Sequence, residues 1–172
     1  LAWWPAPAVP ASALVIGNLK IDDPNRELYY KSLLGAFPIM LGDPRKLSSS
    51  EKARMNEMVR WAEDCQNRHN FMMFRQDLIG FGEPQEGSWD GFQRINTETR
   101  SGGIVGVFRH GAAEQNRQVF VKYLDPEANY EIREERTSRL IETMSGRQLI
   151  KQGFNVTVER EYGGHLYEIR SQ

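Results

Sequence analysis

The chain has 172 residues, of which 26% are charged, and a formal net charge of −1 at pH 7. Its basic residues are scattered among acidic ones, which speaks against a nucleic-acid partner, because such a partner requires Lys and Arg on one face. The single cysteine excludes an internal disulfide framework and a multi-cysteine metal site. No apolar run approaches the roughly 20 residues that cross a bilayer, so we expect no membrane partner.

Two short apolar runs near the start of the chain predict strands. LVI at 14–16 is followed by Gly17 and Asn18, and FPIML at 37–41 is followed by Gly42 and Asp43. Residues 1–12 are rich in Pro and Ala, which predicts an extended lead-in. Between the two runs, DDP at 22–24 is typical of a helix start, since Asp caps a helix and Pro suits its first position.

Strand, helix and strand in this order are the repeat of a parallel α/β structure. A parallel strand is buried on both faces, and two such strands cannot achieve that alone. The first third of the chain is therefore expected to be the end of something larger, and a stand-alone small domain conflicts with this argument. The chain begins at Leu1 without Met or a signal pattern, which we interpret as a fragment or a processed chain. The compartment stays open.

A second helix and a change of pattern follow. Ser48 and Glu51 have the spacing of a capping box, and a stripe of apolar residues at three- and four-residue steps extends the helix to about Asn67. Residues 79–87 are rich in Gly and Pro and predict a linker. From Trp89 onward, short strands are predicted at 91–95, 103–109, 118–124, 129–133, 154–160 and 165–170, with a helical turn at 145–153. Six short strands at close spacing favour an antiparallel sandwich.

The titratable residues suggest little catalytic chemistry. His69, His110 and His165 have no ligand spacing, so we interpret them as packing or surface residues and expect no metal. Cys65 lies on the apolar stripe of the second helix and is expected to be a buried, inert thiol. The sequence predicts no cofactor.

The remaining candidates each have two interpretations. Asp22 and Asp23 resemble a carboxylate pair for acid–base chemistry, but helix capping explains them better. Asp43 follows a predicted parallel strand, where α/β enzymes place functional groups, yet Asp-Pro also begins ordinary turns. Trp3 and Trp4 fit either packing or stacking on a sugar face.

Taken together, these segments resemble a known family. LVIGN at 14–18 and YYKSLLGAFPIMLGDPRKLS at 29–48 resemble the end of the catalytic barrel in melibiase-type α-galactosidases, of glycoside hydrolase clan D, family 27/36-like. GGIVGVFR at 102–109, LDPEANY at 124–130 and YGGHLY at 162–167 resemble the C-terminal β-sandwich of the same clan. The resemblance covers most of residues 13–170, and the order and spacing of the segments are its most specific feature.

The resemblance implies a fold and an activity. Residues 1–78 are expected to be the C-terminal end of a (β/α)₈ catalytic barrel, residues 79–87 a linker and residues 88–172 an antiparallel β-sandwich. Members of the family are retaining exo-glycosidases in which one Asp attacks the anomeric carbon and a second shuttles the proton. Both would lie upstream of Leu1, so no catalytic residue is expected in this chain.

The implied partners are a terminal α-linked glycoside and the remainder of the barrel, supplied by upstream polypeptide or another chain; a homo-oligomer stays open. Ser12, Ala13 and Asn18 are the expected substrate-binding residues at the pocket rim. Many α-galactosidases carry an Asp-Pro-Asp-Met type segment before the Gly-Asn turn, where this chain has PASA at 10–13. The short, uncharged Ser12 therefore departs from the pattern for galactose. The alternative function is a non-catalytic carbohydrate-binding or structural β-sandwich module.

Overall fold

The computed structural model describes residue 13, residues 15–18, residue 23, residues 25–40 and residues 42–172. Within these residues the chain forms nine strands and three helices and is mostly antiparallel sheet. The strands are β1 (Val15–Asn18), β2 (Phe37–Met40), β3 (Ser88–Ile95), β4 (Gly102–His110), β5 (Asn116–Val119), β6 (Asn129–Glu134), β7 (Leu140–Ser145), β8 (Phe154–Thr157) and β9 (Tyr162–Ser171). The helices are α1 (Arg26–Leu33), α2 (Ser49–His69) and α3 (Gly146–Lys151).

The first two strands pair in parallel, as the sequence predicts. Val15 lies opposite Phe37, and Asn18 lies opposite Met40. The connecting helix α1 contacts both strands. Its predicted start is two residues too early, because Asn25 is the N-cap residue and the helix begins at Arg26. The Asp23 carboxylate instead accepts a hydrogen bond from the Asn25 N–H at 2.8 Å, which forms a turn before the helix.

Helix α2 confirms the predicted capping box. The Glu51 N–H donates to the Ser48 hydroxyl at 3.3 Å, and the Ser48 N–H donates to the Glu51 carboxylate at 2.7 Å. These reciprocal bonds satisfy two backbone donors that a helix otherwise leaves free. The helix runs two residues beyond the predicted end, to His69, and Asn70 terminates it in the left-handed conformation at φ 50°.

The larger sheet has the strand order β3-β4-β9-β6-β7, and every pairing in it is antiparallel. A separate antiparallel pair is formed by β5 and β8. Each of the six predicted strands matches an observed one, although β5 and β8 are shorter than expected. The sequence analysis missed β7. Residues Leu140–Thr143 are all exposed, and their sequence does not alternate between apolar and polar residues as a half-buried strand would.

The five-stranded sheet is covered on both faces. Alternate residues such as Val105, Val107, Ile132 and Ile169 form a core with side chains from β5, β8 and α3. The residues between them belong to a second core with α2 and the end of α1; its buried members are Leu34, Ala62, Cys65, Phe71, Phe92, Ile104, Phe108 and Leu166. Trp89 is buried beside Leu78 in the first core, so it joins the residues before β3 to the sheet.

One glycine allows two strands to approach closely. Gly102, at the start of β4, has φ 120°, and a Cβ placed there would lie 1.8 Å from the carbonyl oxygen of Ile169. Only glycine fits this position, because it lacks the Cβ. In the described part of the chain, no helix combines the length and the apolar character needed to cross a membrane.

Candidate functional site

The carboxyl ends of β1 and β2 form the candidate site. The two strands run in the same direction, with Asn18 opposite Met40, so their carboxyl ends lie at the same edge. Gly42 follows β2 with φ 139°, a conformation that favours glycine, and the chain turns there towards Asp43. In α/β enzymes this edge carries the functional side chains.

Asp43 is held in place by the residues directly after it. Its carboxylate accepts the Arg45 backbone N–H at 3.0 Å and caps a 3₁₀ turn over Pro44–Lys46. The Arg45 guanidinium also donates to both carboxylate oxygens at 2.8 Å, through Nε and a terminal nitrogen. These hydrogen bonds hold the pKa of Asp43 below its ordinary value. An ionised, bidentate-paired carboxylate is no proton donor, so the structural interpretation of Asp43 is favoured.

The structure describes only some of the other predicted site residues. Ala13 is exposed, and Asn18 is the last residue of β1. Ser12 lies outside the described residues, as do Trp3, Trp4 and Asp22. Their roles stay predictions.

Three buried charged groups connect the helices to the sheet, and the sequence analysis did not identify them. The most buried is Arg94 on β3, which is inaccessible to solvent. Its guanidinium donates to four backbone carbonyl oxygens at 2.6–2.8 Å; they belong to Leu34, Ala36, Met72 and Phe74. Burial lowers the pKa of Arg94 to about 9, which leaves it charged at neutral pH.

A second group joins α1, α2 and the turn after β6. The Arg54 guanidinium donates to both carboxylate oxygens of Glu135 at 2.7 Å and to Glu27 at 3.0 Å. Burial alone would raise the pKa of Glu27, but Lys31 and Arg54 outweigh it and lower the value to about 2. The Glu27 carboxylate is therefore ionised at neutral pH, and its network with Arg54 and Glu135 connects the three elements.

The third group lies between the end of α2 and β9. Nε2 of His69 lies 2.8 Å from a Glu168 carboxylate oxygen, and the Arg68 guanidinium donates to the same oxygen at 2.7 Å. Burial raises the pKa of the neighbouring Cys65 thiol well above its ordinary value, which fits the predicted inert cysteine. Among the residues that the structure describes, no three His, Cys, Asp or Glu side chains come together as a metal site would require.

A strand pattern could have revealed Arg94 and Glu168. Each lies two positions after an apolar residue of the second core, Phe92 before Arg94 and Leu166 before Glu168, and therefore occupies a strand position that should face this core. Charged residues are almost never fully buried unless they are paired, so such a position indicates a partner. The sequence does not indicate which partner, because the carbonyls and His69 come from distant segments.

The comparisons with known proteins concern the fold. No family model and no curated protein matches the chain. Among solved structures, GH36 α-galactosidase AgaA from Geobacillus stearothermophilus is 18% identical, with a TM-score of 0.75 over 95% of this chain and 22% of its own. AgaB from the same organism is 19% identical, with a TM-score of 0.72 and the same coverage. The α-galactosidase from Lactobacillus brevis is 13% identical, with a TM-score of 0.69 over 92% of this chain and 22% of its own.

These likenesses define the class of fold. The antiparallel domain with its preceding helices has the fold of one part of GH36-type α-galactosidases. The chain spans about a fifth of the length of the structures that it matches. At this level of identity the likeness establishes architecture, and activity is a separate question.

Proposed function

We propose that this chain is the C-terminal part of a retaining, exo-acting glycoside hydrolase that cleaves terminal α-linked sugars, as α-galactosidases do. In this proposal residues 1–78 complete a (β/α)₈ barrel, residues 79–87 are a linker and residues 88–172 form a C-terminal β-sandwich. Strands β1 and β2 are then the last two strands of the barrel. The assignment to glycoside hydrolase clan D belongs to the same proposal.

The observation that carries the proposal is the exposed apolar face of the parallel pair. Val15 is 51% exposed, Phe37 42% and Ile39 39%, and these alternate positions lie on one face of β1 and β2. Parallel sheets are found with both faces covered. Further strands and helices that complete a barrel around β1 and β2 would cover this apolar face. The fold likeness to one fifth of a GH36 α-galactosidase supports the same conclusion.

The chemistry of the proposed enzyme assigns this chain a supporting role. A retaining glycosidase uses two carboxyl groups about 5–5.5 Å apart, one as nucleophile and one as acid and base. Asp43 is bound by Arg45 and fits neither role. In this proposal both catalytic carboxylates belong to earlier barrel strands, as the family resemblance implies. This chain contributes the closing strands and the pocket rim, with Ser12, Ala13 and Asn18 near the sugar. Because Ser12 is short and uncharged, the sugar need not be galactose.

The test is hydrolysis of a panel of 4-nitrophenyl α-glycosides by the full-length protein, with the anomer of the first product identified by NMR. We expect turnover of at least one α-glycoside with the α-anomer released first. Asn18→Ala is expected to raise KM, while Asn67→Ala, an exposed position on α2, leaves it unchanged. Lack of turnover on every α-glycoside would refute the proposal. Saturable oligosaccharide binding without turnover would support the non-catalytic module instead.

A further inference from the structure

A charged groove lies between α2 and the β6–β9 part of the sheet, away from the candidate site. Its volume is about 470 Å³, which falls within the range of small-molecule sites. Six arginines and four acidic side chains line it, so the lining has a formal excess of two positive charges. The chain as a whole has a net charge of −1, so the groove reverses the overall sign.

Half of these arginines are already engaged. Arg54 is bound to Glu135, Arg68 to Glu168, and Arg133 to Glu131 on the same strand. These pairs fix the walls of the groove, because the Glu135 and Glu168 carboxylates are almost entirely buried. The charges of these three arginines are neutralised by carboxylates of the protein itself. An anionic ligand would therefore bind to the remaining three arginines.

The other three arginines come from three separate elements. Arg60 lies on α2, Arg136 on the turn after β6 and Arg170 on β9, and all three are exposed. Among the described residues none of their side chains forms an ion pair within 4 Å. Trp61, which is half-buried, also lines the groove and offers an aromatic surface beside them.

We propose that this groove binds a phosphate monoester of a sugar-sized molecule. A guanidinium group matches a phosphate in planar, bidentate geometry, and three of them are unpaired here. A phosphate monoester carries about −1.5 to −2 charges at pH 7, so the three unpaired guanidinium groups attract it more strongly than a carboxylate or sulfate ester, which carries only one charge. The indole of Trp61 packs against the apolar face of the sugar ring. The proposal is independent of the glycosidase assignment, because it uses no residue of the barrel edge.

Equilibrium dialysis of the full-length protein with a radiolabelled hexose 6-phosphate at 150 mM salt tests this proposal. We expect saturable binding that weakens about 100-fold in Arg136→Gln/Arg170→Gln, since each lost charge-assisted contact costs about tenfold. The matched control, Lys122→Gln/Lys151→Gln, removes the same charge at exposed positions outside the groove and is expected to bind as wild type. Both exchanged arginines are exposed, so the variants are expected to fold, and circular dichroism checks this.

Two further binding measurements, with free hexose and with inorganic phosphate, identify the ligand class. Free hexose is expected to bind at least about tenfold more weakly than its phosphate ester, because it lacks the anion. Inorganic phosphate is expected to bind more weakly than the ester and to be insensitive to Trp61→Leu, which weakens the ester alone. Absence of saturable binding, equal loss in both double variants, or equal affinity for phosphate and ester would overturn the proposal. Glycosidase activity is expected to be unchanged in the arginine variants, so the two proposals fail separately.

Discussion

Replacing Arg94 by Met is expected to destabilise the protein by about 4 kcal/mol. The Arg94 guanidinium donates to four backbone carbonyl oxygens, two after α1 and two after α2. A net loss of about 1 kcal/mol for each unmade hydrogen bond gives the total. The Met side chain occupies a similar volume, so a cavity contributes little. Because these carbonyls join the helical layer to the sheet, the loss also weakens the docking of β1, α1 and β2.

Urea unfolding followed by circular dichroism measures this effect. Arg94→Lys is expected to recover about half of it, since an ammonium group retains the charge but cannot reach carbonyls spread around a planar fork. Arg139→Met, at an exposed position without an ion pair in the described residues, is the control and is expected to change stability by less than about 0.5 kcal/mol. A change below about 1 kcal/mol in Arg94→Met would show that this cluster does not hold the layers together.

Three further predictions concern single residues. Gly102→Ala is expected to cost about 3 kcal/mol or more in urea unfolding, because its Cβ would meet the Ile169 carbonyl; Gly82→Ala, with nothing within 4 Å, should be close to neutral. Ser48→Ala is expected to lower the free energy of unfolding by about 1 kcal/mol through loss of the capping box, and an unchanged urea midpoint would contradict this. The Glu27 carboxylate, whose pKa falls from 4.5 to about 2, contributes stability above pH 4.5 that is lost towards pH 2. The stability difference between wild type and Glu27→Gln should therefore shrink over that range in an acid titration, and a constant difference would argue against the network.

The features that local sequence determines were predictable. The Ser48 capping box and the apolar stripe after it identified α2, because both depend on residues within a few positions of one another. Val15 and Phe37 lie in short apolar runs separated by a helix, and these runs do pair in parallel. Six strands of the antiparallel part followed from turn residues and alternation.

The features that depend on distant partners were not predictable. The charge of Arg94 is stable inside the protein only because carbonyls some 20 and 60 positions away in the chain converge on it. Strand β7 is exposed at the edge of the sheet, so no burial pattern marks it. The candidate site at the ends of β1 and β2 stays a prediction, and the pairing of Asp43 with Arg45 required coordinates. The two catalytic carboxylates cannot be predicted from this chain if they lie upstream of it.

An experimental structure of the full-length protein is the most direct test of the central claim, that β1 and β2 close a larger parallel barrel. We expect the free edge of each strand to pair in parallel with another strand, and Val15, Phe37 and Ile39 to become buried. An antiparallel neighbour on either strand, or a solvent-exposed face that persists in the whole molecule, would contradict it.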